Sequence, residues 1–405
     1  MIRHLLKLVW NRKRSNALII LEIFFSFLVI FGVATFGLFF YANSRLPLGF
    51  DWRPVWEVQM DMKGVTDRLG DEHRATLAQV LREVRSMPQV EAASAAATCP
   101  YSNAEWTTDF TLGGKQIDAS VGHVGEDYDR VFGLRVIAGR WFRPGDEKLS
   151  WRPVVIDRDL ARAAFGDADP IGKRLRDPAK EPPKDPVDVE PEERVIGVLA
   201  DFRKEGELLG ARNTAIYYEP IESGWRSKPH FLMLRVAPGT TAAFEGEFVR
   251  RLQALAPSWS FEPHPLANLR RTYFRKTLVP LAVGGIVAAF LLLMVGLGLI
   301  GVLWQSVVRR TRELGLRRAT GASRGAVLRQ ILFEQILLTT LGVLFGAVLA
   351  AQLPLIQVFS FLDPRVLAGG LLASAAALYL LTLVCALYPS SLAGRLPPAD
   401  ALRYE

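Results

Sequence analysis

Four long apolar runs constrain this chain more than any other feature of it. A helix needs about 20 apolar residues to cross a bilayer core, and each run reaches that length. The first, ALIILEIFFSFLVIFGVATFGLFFYA, covers 17–42 with Glu22 as its only charge. The second, LVPLAVGGIVAAFLLLMVGLGLIGVLW, covers 278–304 without a charge. The third, 331–353, carries Glu334 near its start, and the fourth, 366–388, is uncharged. Each is expected to be a transmembrane helix. A cleaved signal peptide fits the first run poorly, because it far exceeds a signal peptide's apolar core and no small-residue cleavage site ends it.

Charge then orients the chain. Arg3, Lys7, Arg12, Lys13 and Arg14 precede the first run. Seven arginines, from Arg309 to Arg329, lie between the second and third, and Arg395 and Arg403 follow the fourth. The loop 354–365 holds one basic residue, Arg365. The positive-inside rule makes 1–16, 305–330 and 389–405 cytosolic, and leaves 43–277 and the short loop 354–365 outside. The whole chain has a formal net charge of +8, whereas 43–277 holds 34 Lys and Arg against 35 Asp and Glu. The basic surplus is therefore a topology signal, and no nucleic-acid partner is expected.

The region 43–277 reads as a mixed α+β domain. HRATLAQVLREVRSM (73–87) puts Leu77, Val80, Leu81 and Val84 on one helical stripe. WTTDFTLGGKQIDASVGHV reads as two extended runs about Gly113 and Gly114. RPVVIDRDLARAAFG passes from a strand into a helix ended by Gly166. RVIGVLADF, TAIYYEPI and HFLMLRVAPG are further strands, and TTAAFEGEFVRRLQALAP a further helix. The proline-rich, charged stretch 177–193 is expected to be an exposed loop. The fold class is thus an α-helical membrane protein with four transmembrane helices and a large α+β extracytoplasmic domain between helices 1 and 2.

Chemistry-bearing patterns are sparse. The five histidines are scattered without ligand spacing, so no metal site is expected. Cys99 and Cys385 are the only cysteines, and the second sits in an apolar run, which argues against a disulfide. GDADPIGKR (166–174) departs from a phosphate loop: five residues separate Gly166 from Gly172, and Arg174 stands where a hydroxyl would bind magnesium. Trp52 and Trp56 follow the first span closely, as interfacial anchors do. The outer tryptophans as a group fit core or membrane-proximal packing better than a ligand surface.

The stretch RRTRELGLRRATGASRG (309–325) contains a G-x-S-x-G pattern at Gly321–Gly325. A hydrolase's nucleophile elbow needs a strand before the serine and a histidine base, and here an arginine-rich helical stretch precedes Ser323. Gly315 and Gly321 let the chain turn back, and Ser323 falls where a helix N-cap belongs. Val307 and Leu314 at helical spacing give a short amphipathic piece suited to a partner's groove. Within the third run, Gly342, Gly346 and Ala350 form a small-residue face for helix packing or dimerisation, and Gly369, Ala373 and Ala377 form another in the fourth. Glu22 and Glu334 lie about one turn inside their runs, and pairing with nearby arginines or reaching the interface explains them better than an ion pathway.

Several stretches together resemble the permease subunits of MacB/FtsX-type ABC transporters. HLLKLVWNRKRSNALIILEI is similar to that family's basic N-terminus. VFGLRVIAGRWF, AAFGDADPIGKRLR and RVIGVLADFR are similar to recurrent pieces of its outer domain. RRTRELGLRRATGASRGAVLRQILFEQILLTTLGVLFG resembles its most specific stretch, and LAGRLPPADALRYE its usual ending. The resemblance implies a dimer, with a second copy or a sister permease, bound to a cytosolic ABC ATPase. ATP-driven motion would pass across the membrane to the outer domain. Family members export drugs, peptides or toxins, extract lipoproteins, or regulate cell-wall hydrolases, and some engage a periplasmic adaptor protein.

By that resemblance Arg312, Glu313, Leu314, Gly315, Arg317, Arg318, Gly321 and Ala322 are the ATPase-coupling contact. The chain is expected to be non-catalytic, to bind no cofactor itself and to leave ATP and magnesium to the ATPase. No ATPase domain is recognised within it, unlike fused members, so the ATPase is expected on another polypeptide. The expected location is the bacterial inner membrane, with both termini cytosolic and the large domain periplasmic. An ATPase-independent membrane sensor or scaffold, with a ligand-binding outer domain, is the alternative.

Overall fold

The structure is a computed structural model that describes residues 13–65, 69–102, 106–177, 191–210, 213–221, 228–240, 242–309, 323–353 and 362–395. It divides into a helix unit, 1–42 with 277–405, and a sheet unit, 43–276. Four of its helices are long and apolar enough to cross a membrane. The first is α1 (Lys13–Ser44).

The sheet unit follows in the order β1 (Val55–Met62), α2 (Asp71–Ser86), β2 (Val90–Ala96), β3 (Thr107–Leu112), β4 (Lys115–Val124), α3 (Tyr128–Phe132) and β5 (Val136–Gly139). Next come β6 (Arg152–Asp157), α4 (Arg158–Phe165), β7 (Glu193–Leu199), β8 (Thr214–Tyr218), β9 (Phe231–Val236), α5 (Ala242–Leu255) and β10 (Trp259–Pro265). The remaining long helices are α6 (Leu266–Arg309), α7 (Arg324–Gln352) and α8 (Pro364–Arg395). Helix α6 starts at Leu266, ahead of the apolar run, and carries Pro280 inside it.

One ten-stranded sheet runs β10-β1-β9-β2-β4-β8-β6-β7-β5, with β3 on β4. Its first four strands are antiparallel. With α2 and α5 they make the spatial order 4-1-3-2 of a ferredoxin-like β-α-β-β-α-β unit. The second half is inserted between β2 and β9, and mixes antiparallel with parallel pairs, β4 beside β8 and β6 beside β7. A single registered pair, Ala96 with Val124, joins the halves along the ladder.

Side-chain alternation sorts the core into layers. Trp56, Val58, Met60 and Met62 of β1 meet Leu77, Val80, Leu81 and Val84 of α2 and Phe244, Phe248 and Leu252 of α5. That stripe on α2 is the one its 3.6-residue spacing predicts. On the opposite face Phe50, Val55, Phe132, Val155, Met233 and Tyr218 form a layer shared by both halves. Trp56 is 7% exposed and its ring lies tilted against Phe244, centres 6.0 Å apart, so it is a core residue and not an interfacial anchor.

In the helix unit Ile23, Phe27, Val295, Leu299, Val343, Leu378 and Cys385 share one core. Both cysteines are free and buried.

Candidate functional site

Two places bear on function: the ends of the helices around 310–322, and the root of the sheet unit. Arg312, Glu313, Leu314, Gly315, Arg317, Arg318, Gly321 and Ala322 all lie outside the described residues. Their flanks are described. Helix α6 reaches Arg309, and α7 begins at Arg324 behind an extended Ser323 whose Oγ accepts the Ala326 N–H at 3.2 Å. Ser323 is thus a helix cap, which satisfies one of the first-turn amides.

The small residues of α7 face α1. A Cβ on Gly342 would stand 2.6 Å from Ile23 Cγ2, and one on Gly346 would overlap the Phe27 ring. Ala350 is 2% exposed. Gly369 and Gly370 of α8 likewise lie against Leu38 and Thr35 of α1. Threonine hydroxyls join α7 to α8, Thr339 to Thr382 at 2.8 Å, and Thr340 meets the Tyr379 hydroxyl at 3.0 Å. Close backbone approach and inter-helix hydroxyl bonds are the usual cohesion of helices in lipid.

The root of the sheet unit is a charged node that sequence reading missed. The first root, 43–52, leads from α1 into β1, and the second, 266–274, is the start of α6 directly after β10. Trp56 pairs with Pro265, so the chain enters and leaves on adjacent strands. The loop 200–209, which follows β7, closes on both roots. Arg203, 3% exposed, donates through Nη1 to Asn43 O at 2.8 Å and Leu46 O at 3.4 Å. Its Nη2 donates to Glu207 O at 3.1 Å and Leu209 O at 2.5 Å, and its backbone N–H to Leu48 O. Asn43 Nδ2 donates to Leu208 O at 3.2 Å.

The second root is held by the same loop. Arg270 Nε donates to Glu207 Oε1 at 2.6 Å, and its guanidinium lies 4.3 Å from the Trp52 ring centre. The Tyr101 hydroxyl donates to Glu207 Oε2 at 3.1 Å. The Tyr273 hydroxyl accepts the Leu208 and Leu209 amides, each at 3.2 Å. Burial and the Glu207 carboxylate push the Tyr101 phenol well above its ordinary range. Gly206 has φ +91°, and a Cβ there would stand 2.7 Å from Tyr101 and 3.0 Å from Tyr273, so only glycine fits between the two rings. The one sequence signal was the charged run DFRKEGE after a strand; which of its charges is buried depends on residues about 160 positions away.

A second polar cluster lies within the inserted half. Glu219 accepts from Arg152, and His123 Nδ1 is 2.9 Å from the same carboxylate, with the Arg152 guanidinium stacked 4.1 Å over Tyr217. A cleft of about 300 Å³ adjoins α3, walled by Trp141, Phe142 and Tyr218 beside Glu126, Asp127 and Asp129. Arg85 already pairs with Glu126 and Asp127, and burial pushes the Asp129 carboxyl up.

Residues 17–250 match the family model of the MacB-like periplasmic core domain, and 285–398 match the FtsX-like permease C-terminal model. The chain belongs to the MacB/FtsX-type ABC transporter permeases. This MacB/FtsX-type permease is 26% identical over 301 residues to the ABC transporter permease YknZ of Bacillus subtilis (strain 168), covering 72% of this chain and 71% of that one. It is 29% identical over 266 residues to the macrolide export ATP-binding/permease protein MacB of Bordetella avium (strain 197N), covering 63% of this chain and 38% of that relative. The chain therefore spans well under half the length of that relative. Among solved structures it is similar to the periplasmic region of MacB from Actinobacillus actinomycetemcomitans, at 16% identity over 55% of this chain and 92% of that one, with a TM-score of 0.36.

Proposed function

We propose that this permease couples ATP hydrolysis by a separate cytosolic ABC ATPase to a conformational change of its sheet unit, for export or for force transmission across the membrane. The observation that carries the reading is the order of parts: a family-matched sheet unit stands between the first and second of four apolar helices, with the arginine-rich 305–330 between the second and third. By the positive-inside rule the arginines support a cytosolic 305–330, cytosolic termini and a periplasmic sheet unit. The permease itself is non-catalytic, works beside a second copy or a sister permease, and engages a periplasmic adaptor where its cargo requires one. Residues 312–322 are the contact with the ATPase.

The test replaces Leu314, Arg317 and Arg318 by Asp in the full chain and measures how much ABC ATPase co-purifies with the membranes. The expected outcome is loss of ATPase recruitment with the permease still inserted. Recruitment equal to that of the unaltered chain would refute the contact.

A further inference from the structure

We infer that Arg203 is a positioning residue: through it the inserted half of the sheet is made to follow the two helix roots as one body. The inference rests on the coupling function proposed above. The roots belong to the ferredoxin-like half, because they run directly into β1 and out of β10. The inserted half is tied to that half by the Ala96–Val124 pair, by Arg85 with Glu126 and Asp127, by Arg235 Nη1 to the Val131 carbonyl at 3.1 Å, by the Asp51 N–H to Phe132 O at 2.8 Å, and by a shared apolar layer. Of these ties, the Asp51 bond alone reaches a root, and it reaches the first. The loop 200–209 goes further, because it originates in the inserted half and bonds to both roots.

Arg203 acts on the first root and Glu207 on the second, with three residues of loop between them. The guanidinium takes carbonyls from Asn43 and Leu46 with one nitrogen and from its own loop with the other. Such a fork fixes angle as well as distance. A buried charge adds little net stability compared with an apolar residue of equal volume, so geometry is the advantage it confers here. If the first root shifts, the loop either moves with it or leaves a buried guanidinium and buried carbonyls unpaired, and the second course costs more. Gly49 adds a steric stop on the same root, since any Cβ there would overlap the Asp201 carbonyl.

The experiment uses the full chain in lipid nanodiscs with the ATPase that co-purifies with it. Spin labels go on exposed Arg82, in the ferredoxin-like half, and exposed Gln116, in the inserted half. The unaltered chain should give one narrow inter-label distance, the same with and without ATP. Arg203→Met keeps the volume and removes the fork; it should broaden the nucleotide-free distribution and make it respond to ATP, while ATP turnover continues. Arg203→Lys, which keeps the charge with fewer donors, should fall between the two. Tyr273→Phe removes only a hydroxyl, and should broaden the distribution even if Arg203→Met does not accumulate. A distribution in Arg203→Met as narrow as the unaltered one overturns the inference, and where that variant does not accumulate an equally narrow one in Tyr273→Phe does so. The nucleotide-free measurement stands apart from the coupling reading, which falls instead if no ATPase co-purifies with the unaltered chain.

Discussion

Glu57 stands on β1, 4% exposed, with Oε2 lacking a hydrogen-bond partner among the described residues, and burial pushes its pKa up from 4.5 to about 7. Below pH 4.5 the carboxyl is protonated folded or unfolded, and its burial carries no charge penalty. As the pH rises toward 7 the unfolded chain ionises first, so stability is lost across that window, by about 3 kcal/mol in all. Asp157, whose pKa burial also raises to about 7, acts in the same direction. The unfolding midpoint of the full chain in detergent should fall between about pH 4.5 and 7.5. Glu57→Gln should flatten much of that slope, and an unchanged slope would mean Glu57 is solvated. Nothing in VWEVQMDM marks this glutamate as buried. Its alternation with Val58 and Trp56 reads equally well as a solvent face, and only the layer holding Phe50 and Met233 makes it interior.

Among the elements, the helices were the most legible. The stripe of α2, the strand-to-helix passage at Asp157 and the cap at Ser323 each follow from local chemistry. Asp157 accepts the Leu160 N–H at 2.8 Å, and Asp157→Ala should cost about 1–2 kcal/mol of stability, while Asp157→Asn should cost far less. Circular dichroism melts of the full chain check both. Strands β1 and β2 escaped sequence reading for a physical reason. VEAASAA is mostly alanine, which has little β preference, and β2 exists because it pairs with β9, about 140 residues later. The small-residue face of α7 was legible as a face, but its occupant was not. Gly346→Leu would force the Phe27 ring aside, and should lower the thermal midpoint in detergent by an amount equivalent to about 1–3 kcal/mol. Oligomeric state, read by light scattering, should stay unchanged, because that face is occupied by α1 of the same chain.

For the whole molecule, four apolar runs and the charge between them give the plan at a glance, because a bilayer admits so few arrangements of backbone. The internal order of the sheet unit is a different matter. Its ferredoxin-like half is split around some 130 residues, and no local pattern reveals that β1 will pair with β9 and β10 rather than with its neighbours in sequence. The node at Arg203 depends on the same long-range closure. The segment 312–322 is the reverse case: its coupling role is proposed from family likeness, and its residues lie outside the described ones.

The pairing of Trp56 with Pro265 gives the sheet unit the geometry of an exchangeable cartridge. Its two connections to the chain stand one strand spacing apart, about 5 Å. A domain attached in this way can be enlarged, trimmed or swapped for another without altering the distance its attachments must bridge. Variation is therefore free to proceed inside the cartridge, and the helices outside it need not be redesigned each time.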